Sequence, residues 1–180
     1  MRIIKENTMA ILIDIQERLL PAMSDNKKIL SKAQILVNGL NELNIPIIVS
    51  EQYPKGLGRT VEELQSILGN VNYYAKTAFS CYNDKSILNE IKKQNKKNII
   101  LFGIEAHVCV LQTATDLLQN GYNVILVEDA IGSRNNENKN TAIKRFISEG
   151  GILTCVESIL FEFVGDAKAR EFKAISKLIK

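Results

Sequence analysis

Residues 98–120, NIILFGIEAHVCVLQTATDLLQN, carry the strongest folding constraint in the chain. The apolar run Ile99-Ile100-Leu101-Phe102 reaches Gly103, where the pattern predicts a break, and an amphipathic stretch follows at helical spacing. A buried strand therefore feeds directly into a helix, and Gly121 stops that helix. Cys109 falls at or near the first helical turn. Backbone N–H groups there have no partner within the helix, and the dipole is positive. A thiol so placed gains a stabilised thiolate and becomes a candidate nucleophile. A small buried packing residue is the alternative reading.

The same alternation recurs along the chain. Met9–Ile13 is a continuous apolar run ending at Asp14, as expected of a parallel strand covered on both faces. Ser24 or Asp25 can cap a long helix with apolar positions Ile29, Ala33, Leu36, Val37, Leu40 and Leu43. Further strands are predicted at Ile47–Val49, Val71–Ala75, Tyr122–Val127 and Ile152–Cys155. Helices are predicted at Thr60–Leu68, with Thr60 and Glu63 at capping-box spacing, and at Asp84–Gln94, Thr141–Glu149, Glu157–Val164 and Lys168–Ile179. Segment 50–58 is a Gly/Pro loop, and 133–140 a polar one. The loop's Gly56-Leu57-Gly58 lacks the third glycine of a dinucleotide fingerprint, since Val61 stands there. Strands alternating with helices predict an α/β fold: three α-β-α layers around a mostly parallel six-stranded sheet, Rossmann-like.

At 180 residues the chain suits a single domain, 1–180, with a substantial core. Its net charge of +3 is small and scattered, giving no case for a nucleic-acid partner. The densest basic run, Lys92-Lys93 with Lys96-Lys97, reads as a solvated helix end. No apolar stretch of about 18 residues suggests a membrane span, and the N-terminus lacks a signal-peptide pattern. Three widely spaced cysteines make neither a disulfide framework nor a thiolate zinc site, and a reducing cytoplasm fits them. Cys81 and Cys155 read as packing residues. The single histidine, His107, excludes a multi-histidine metal centre. It also makes a poor base for Cys109, because two residues along a helix turn the side chains about 200° apart. A carboxylate is the better base, and His107 suits a structural or rim position.

Parallel sheets bind ligands beyond the carboxyl ends of their strands. Asp14, Lys76 and Cys109 each fall at such an end. Asp129 does too, where it reads as a loop cap. With the blocks DIQERL, AKTAFS and GIEAHVCV, and with EQYPKGLG, DLLQNGYNV and ESILFEFVGD, the chain resembles the isochorismatase-like cysteine hydrolase superfamily over nearly its whole length. It is most similar to the isochorismatase-domain-containing subgroup.

The resemblance implies Cys109 as nucleophile, Asp14 as general base and Lys76 as the cation that holds both. It also implies a non-proline cis peptide between Ile104 and Glu105, and an oxyanion hole from the N–H groups of Glu105 and Cys109. Nicotinamidase members of the superfamily bind a metal through an aspartate and two histidines between base and lysine. No histidine lies between Asp14 and Lys76, so neither metal nor other cofactor is expected. The implied activity is a metal-independent cysteine hydrolase acting on a small amide or related carbonyl compound through an acyl-enzyme. A catalytically idle scaffold of the same fold is the competing reading. Gln16, Leu20, Tyr53 and Phe79 are candidate pocket residues, with Leu20 and Phe79 equally suited to the core. A homo-oligomer, dimer or tetramer, is implied as well.

Overall fold

Buried apolar strands dominate the architecture because each runs through a sheet covered on both faces. The computed structural model describes residues 1–180. It contains six strands: β1 (Thr8–Ile13), β2 (Ile47–Gln52), β3 (Tyr73–Lys76), β4 (Asn98–Ile104), β5 (Asn123–Gly132) and β6 (Ile152–Thr154). They form one sheet in the order β3-β2-β1-β4-β5-β6, with every pair parallel. The helices are α1 (Asn26–Glu42), α2 (Pro54–Leu57), α3 (Glu62–Leu68), α4 (Lys85–Gln94), α5 (Leu111–Gln119), α6 (Asn136–Ser148), α7 (Val156–Val164) and α8 (Phe172–Ile179). None is long and apolar enough to cross a membrane.

Strand β1 shows how the sequence builds the layers. Met9, Ile11 and Ile13 pack on one face with residues of α4 and α5, while Ala10 and Leu12 pack on the other with α1 and α7. All five are fully buried. On α1 the apolar positions read from the sequence are indeed those turned inward.

Several boundaries differ from the sequence pattern. Gly103 does not end β4: the strand continues to Ile104, and Gly103 adopts φ +126° beside β1. A side chain there would place its Cβ 2.1 Å from the Ile13 carbonyl oxygen, so glycine serves close strand approach and not a break. Strand β5 does not stop at Val127 either. The register with β4 jumps from Leu101↔Leu126 to Gly103↔Ile131, so Glu128–Ala130 bulge out past Val127, which still pairs with β6, and pairing with β4 resumes beyond them. Helix α6 starts at Asn136, earlier than the apolar pattern suggests, because Asn135 caps it by accepting from Glu137 N.

Thr60 and Glu63 form no capping box. The Thr60 N–H and hydroxyl both donate to Glu51, which leaves α3 to begin at Glu62. Nor does Ser24 or Asp25 cap α1 with its side chain; Ser24 donates instead to the Arg134 carbonyl. Asp129 accepts from Val156 N at 2.9 Å, so it caps α7 across the bulge.

Candidate active site

The strand order reverses direction between β1 and β4, and at such a switch point the outgoing connections diverge and open a crevice. Asp14 leaves β1 on one side of it. Its backbone is left-handed, with φ 54°, a conformation Asp tolerates better than most residues. Its N–H donates to the Ser50 carbonyl at 3.1 Å, which turns the carboxylate back over the sheet. On the other side β4 ends in the cis Ile104–Glu105 peptide, followed by one π-helical turn, Ala106–Val110, that leads into α5. Cys109 lies in that turn.

Asp14 is held through both carboxylate oxygens. Oδ1 accepts from Ser50 Oγ at 2.7 Å and Oδ2 from Lys76 Nζ at 2.8 Å. The ion pair has no solvent exposure on either side chain. Lys76 Nζ also donates to Gln52 Oε1 at 2.7 Å and reaches the carbonyls of Phe79 and Ala78 at 3.1 and 3.3 Å. A buried ammonium without such a set would be costly. Burial works to lower the Lys76 pKa, but Asp14 and the sulfurs of Cys81 and Cys109 outweigh it, and the net shift is upward.

The Cys109 thiol lies in electrostatic reach of Asp14, Lys76 and Cys81. Burial pushes its pKa up, the Asp14 carboxylate adds to that, and Lys76 opposes it without prevailing. Burial and the neighbouring carboxylate therefore work against the stabilised thiolate that the helix terminus favours. Yet Cys109 keeps 7% of its surface open, whereas Asp14 keeps none.

A kinetic consequence follows. Alkylation of Cys109 by iodoacetamide should climb about tenfold per pH unit from about pH 6 to about pH 9 with no plateau. Peptide mass spectrometry resolves it from the half-buried Cys155, while Cys81 is fully buried with its pKa pushed up to about 11 by burial. A plateau below about pH 8 would mean a low-pKa thiolate and contradict this electrostatic picture.

The remaining residues singled out in the sequence divide. Gln16 is fully buried; its amide donates to the carbonyls of Gln52 and Gly58 and accepts from Gln52 N, so it fastens the 52–58 segment to β1 instead of facing a cavity. Leu20 packs into the apolar layer around α1. Tyr53 and Phe79 are more than half exposed. The His107 ring, through Nδ1, meets Ser133 Oγ at 2.9 Å and ties the π turn to the end of β5. The Glu105 carboxylate accepts from Arg134 N and Nε at 3.0 and 3.1 Å, which leaves its backbone N–H with no protein acceptor. Thr113 accepts from Cys81 N and donates to the Cys109 carbonyl, bracing the two cysteines' backbones together.

Ser50, Gln52, Thr113 and Arg134 were not singled out in the sequence. The first two had a readable signal: on β2, Ile48, Ser50 and Gln52 share a face by strand periodicity, the face that meets Asp14 and Lys76. Thr113 and Arg134 had none.

A model of the isochorismatase domain matches residues 8–158. The chain belongs to the isochorismatase family. The isochorismatase family protein 1B of Dictyostelium discoideum is 37% identical over 99% of this chain and 89% of its own. A solved structure described as MAR1 ribonuclease from Caenorhabditis elegans is 39% identical, with TM-score 0.94 over 99% of this chain and 92% of that one. The YcaC product of Escherichia coli, described as an octameric hydrolase of unknown specificity, shares the fold at TM-score 0.93 and 24% identity over 99% of this chain and 89% of its own. Sheet and family agree on an isochorismatase-type hydrolase fold.

Proposed function

We propose that this isochorismatase-family chain is a metal-independent cysteine hydrolase acting on a small amide or related carbonyl compound. The observation that carries the reading is the buried Lys76–Asp14 pair, 2.8 Å apart, within electrostatic reach of the Cys109 sulfur at the switch point. No three His, Cys, Asp or Glu side chains gather in metal-ligating geometry, so the steps below use protein groups alone.

The neutral thiol suits a concerted start. As Cys109 Sγ bonds to the carbonyl carbon, its proton passes to Asp14, because a free thiolate is disfavoured in that burial. The N–H groups of Glu105 and Cys109 receive the developing oxyanion. Asp14 gives the proton to the departing amine and leaves an acyl-enzyme. It then takes a proton from water as that water attacks the thioester, and returns it to sulfur when the acid leaves. Lys76 keeps Asp14 aimed throughout, and Ser50 fixes its other oxygen.

A screen of small amides, ureides and carbamates tests this. At least one class should turn over, with Cys109→Ala and Asp14→Asn each lowering kcat/KM by at least about a thousandfold. Turnover that survives Cys109→Ala would overturn the nucleophile. Silence across the screen, together with equal alkylation of Cys109 and Cys155, would favour the idle scaffold.

A second reading, ribonuclease, is favoured by the description of the C. elegans relative. Against it, the basic cluster of Lys92, Lys96 and Lys97 lies beside Asn7 and Asn120, at the amino ends of the strands and away from Cys109. RNA cleavage lost in Cys109→Ala would establish that reading over amide hydrolysis. The proposal also includes self-association, supported by the octameric YcaC product, and a cytoplasmic setting, supported by three unpaired cysteines.

A further inference from the structure

One cavity in the protein does not contain Asp14, Lys76 or Cys109. It measures about 550 Å³ and is lined by Glu51, Pro54, Lys55, Arg59, Gln65 and Tyr73. Strand periodicity sets it apart from the site above. Ser50 and Gln52 point to the Asp14–Lys76 face of β2, so Glu51 between them points to the other. Tyr73, paired with Val49, lies one strand further out, on the sheet's edge.

Glu51 is the feature that asks for a ligand. It is 7% exposed and enters no ion pair. Its Oε1 accepts from Thr60 N at 2.7 Å and from Thr60 Oγ1 at 2.9 Å. Its Oε2 accepts from nothing, and since no fully buried polar atom lacks a partner, that oxygen opens into the cavity. Buried carboxylates are ordinarily paired with a cation. Here the position is fixed by Thr60 and the countercharge is missing. Gln65 commits its amide nitrogen to the Thr60 carbonyl and leaves its own Oε1 unpartnered. The Tyr73 ring lines the same wall, and its hydroxyl is close enough to feel the Glu51 charge, which adds to burial in raising its pKa. A carboxylate oxygen, an amide oxygen and an aromatic ring are the groups that receive an ammonium.

The rim has the opposite sign. Lys55 and Arg59 line the cavity and are exposed, and neither side chain makes an ion pair or hydrogen bond within the protein. Two free cations would repel a simple organic cation but would grip a carboxylate carried a few bonds from an ammonium.

We propose that this cavity binds a small zwitterion of the amino-acid class, its ammonium on Glu51 Oε2 and its carboxylate between Lys55 and Arg59. The site is separate from the Cys109 chemistry and does not depend on it.

Calorimetric titration of the full chain with glycine, β-alanine and 4-aminobutyrate, and with the half-ligands methylammonium and acetate, tests the proposal. At least one zwitterion should bind saturably and at least about tenfold more tightly than either half. Glu51→Gln keeps the acceptor for Thr60 and should abolish that binding. Arg59→Ala, a change at an exposed side chain, should weaken the zwitterion without weakening methylammonium. Cys109→Ala should bind as the parent does. The proposal is overturned if no zwitterion saturates, if methylammonium binds as well as the best of them, if Glu51→Gln retains affinity, or if Cys109→Ala loses it.

Discussion

Lys76→Met should lower the unfolding free energy by about 3–5 kcal/mol, the cost of leaving one member of a buried ion pair alone. The substitution keeps the length of the side chain but removes the ammonium from the Asp14 carboxylate, from Gln52 Oε1 and from two carbonyls at once. Urea unfolding at neutral pH measures it. The double variant Lys76→Met, Asp14→Asn should recover part of the loss, since no charge is then buried unpaired. The pH dependence has a definite sign. The Lys76 pKa is raised in the fold, where Asp14 and the neighbouring sulfurs outweigh the opposing effect of burial. The lysine's contribution to the pair is therefore complete at neutral pH and fades as pH rises above the ordinary lysine value of 10.5 and through the raised one. A Lys76→Met chain within about 1 kcal/mol of the parent would mean that the pair is not load-carrying, and would remove the basis for its role beside Cys109.

Gly103→Ala should be as damaging without touching a charge. Its Cβ would meet the Ile13 carbonyl oxygen at 2.1 Å and the Ile13 carbonyl carbon and nitrogen at 2.8 Å, all backbone atoms in the next strand. The φ of +126° adds strain of its own. Overpacking and backbone strain together put the expected loss at about 4 kcal/mol or more. Gly69→Ala provides the comparison: φ is +69° but nothing lies within 4 Å, so only the backbone penalty of about 1–3 kcal/mol applies. Thermal unfolding of the two variants separates contact from strain. Gly103→Ala should also speed Cys109 alkylation, because the displaced Ile13 is the residue before Asp14, whose carboxylate adds to burial in raising the thiol's pKa. Equal losses in the two variants would show that the approach of β4 to β1 is not the constraint inferred here.

The sequence was most legible where burial is uniform. Met9–Ile13 and Ile99–Phe102 read as strands because a strand covered on both faces needs apolar residues throughout, and both are covered. It was less legible where a side chain answers to a distant partner. Thr60 and Glu63 had the spacing of a capping box, but Glu51 claims both donors of Thr60, which local pattern does not reveal. Gly103 carried a break signal that belongs equally to a glycine squeezed against a neighbouring strand, and only the pairing with Ile13 distinguishes them. Asp14, Lys76 and Cys109 stood out as chemically capable residues at strand ends. The thiol's electrostatics did not, because the helix terminus was visible in sequence and the desolvation was not. Gln16 attracted notice as a polar residue near Asp14, but its three hydrogen bonds all go to its own framework.

Lys76 closes β3, a four-residue strand held along one edge only. No strand pairs with it on its far side, so it is freer to detach than the strands inside the sheet. Fraying there would withdraw the ammonium from Asp14 while the interior stayed intact. Chemistry at the sulfur would then report on the soundness of the molecule's outermost seam, and mild denaturant should silence it well before the fold as a whole gives way.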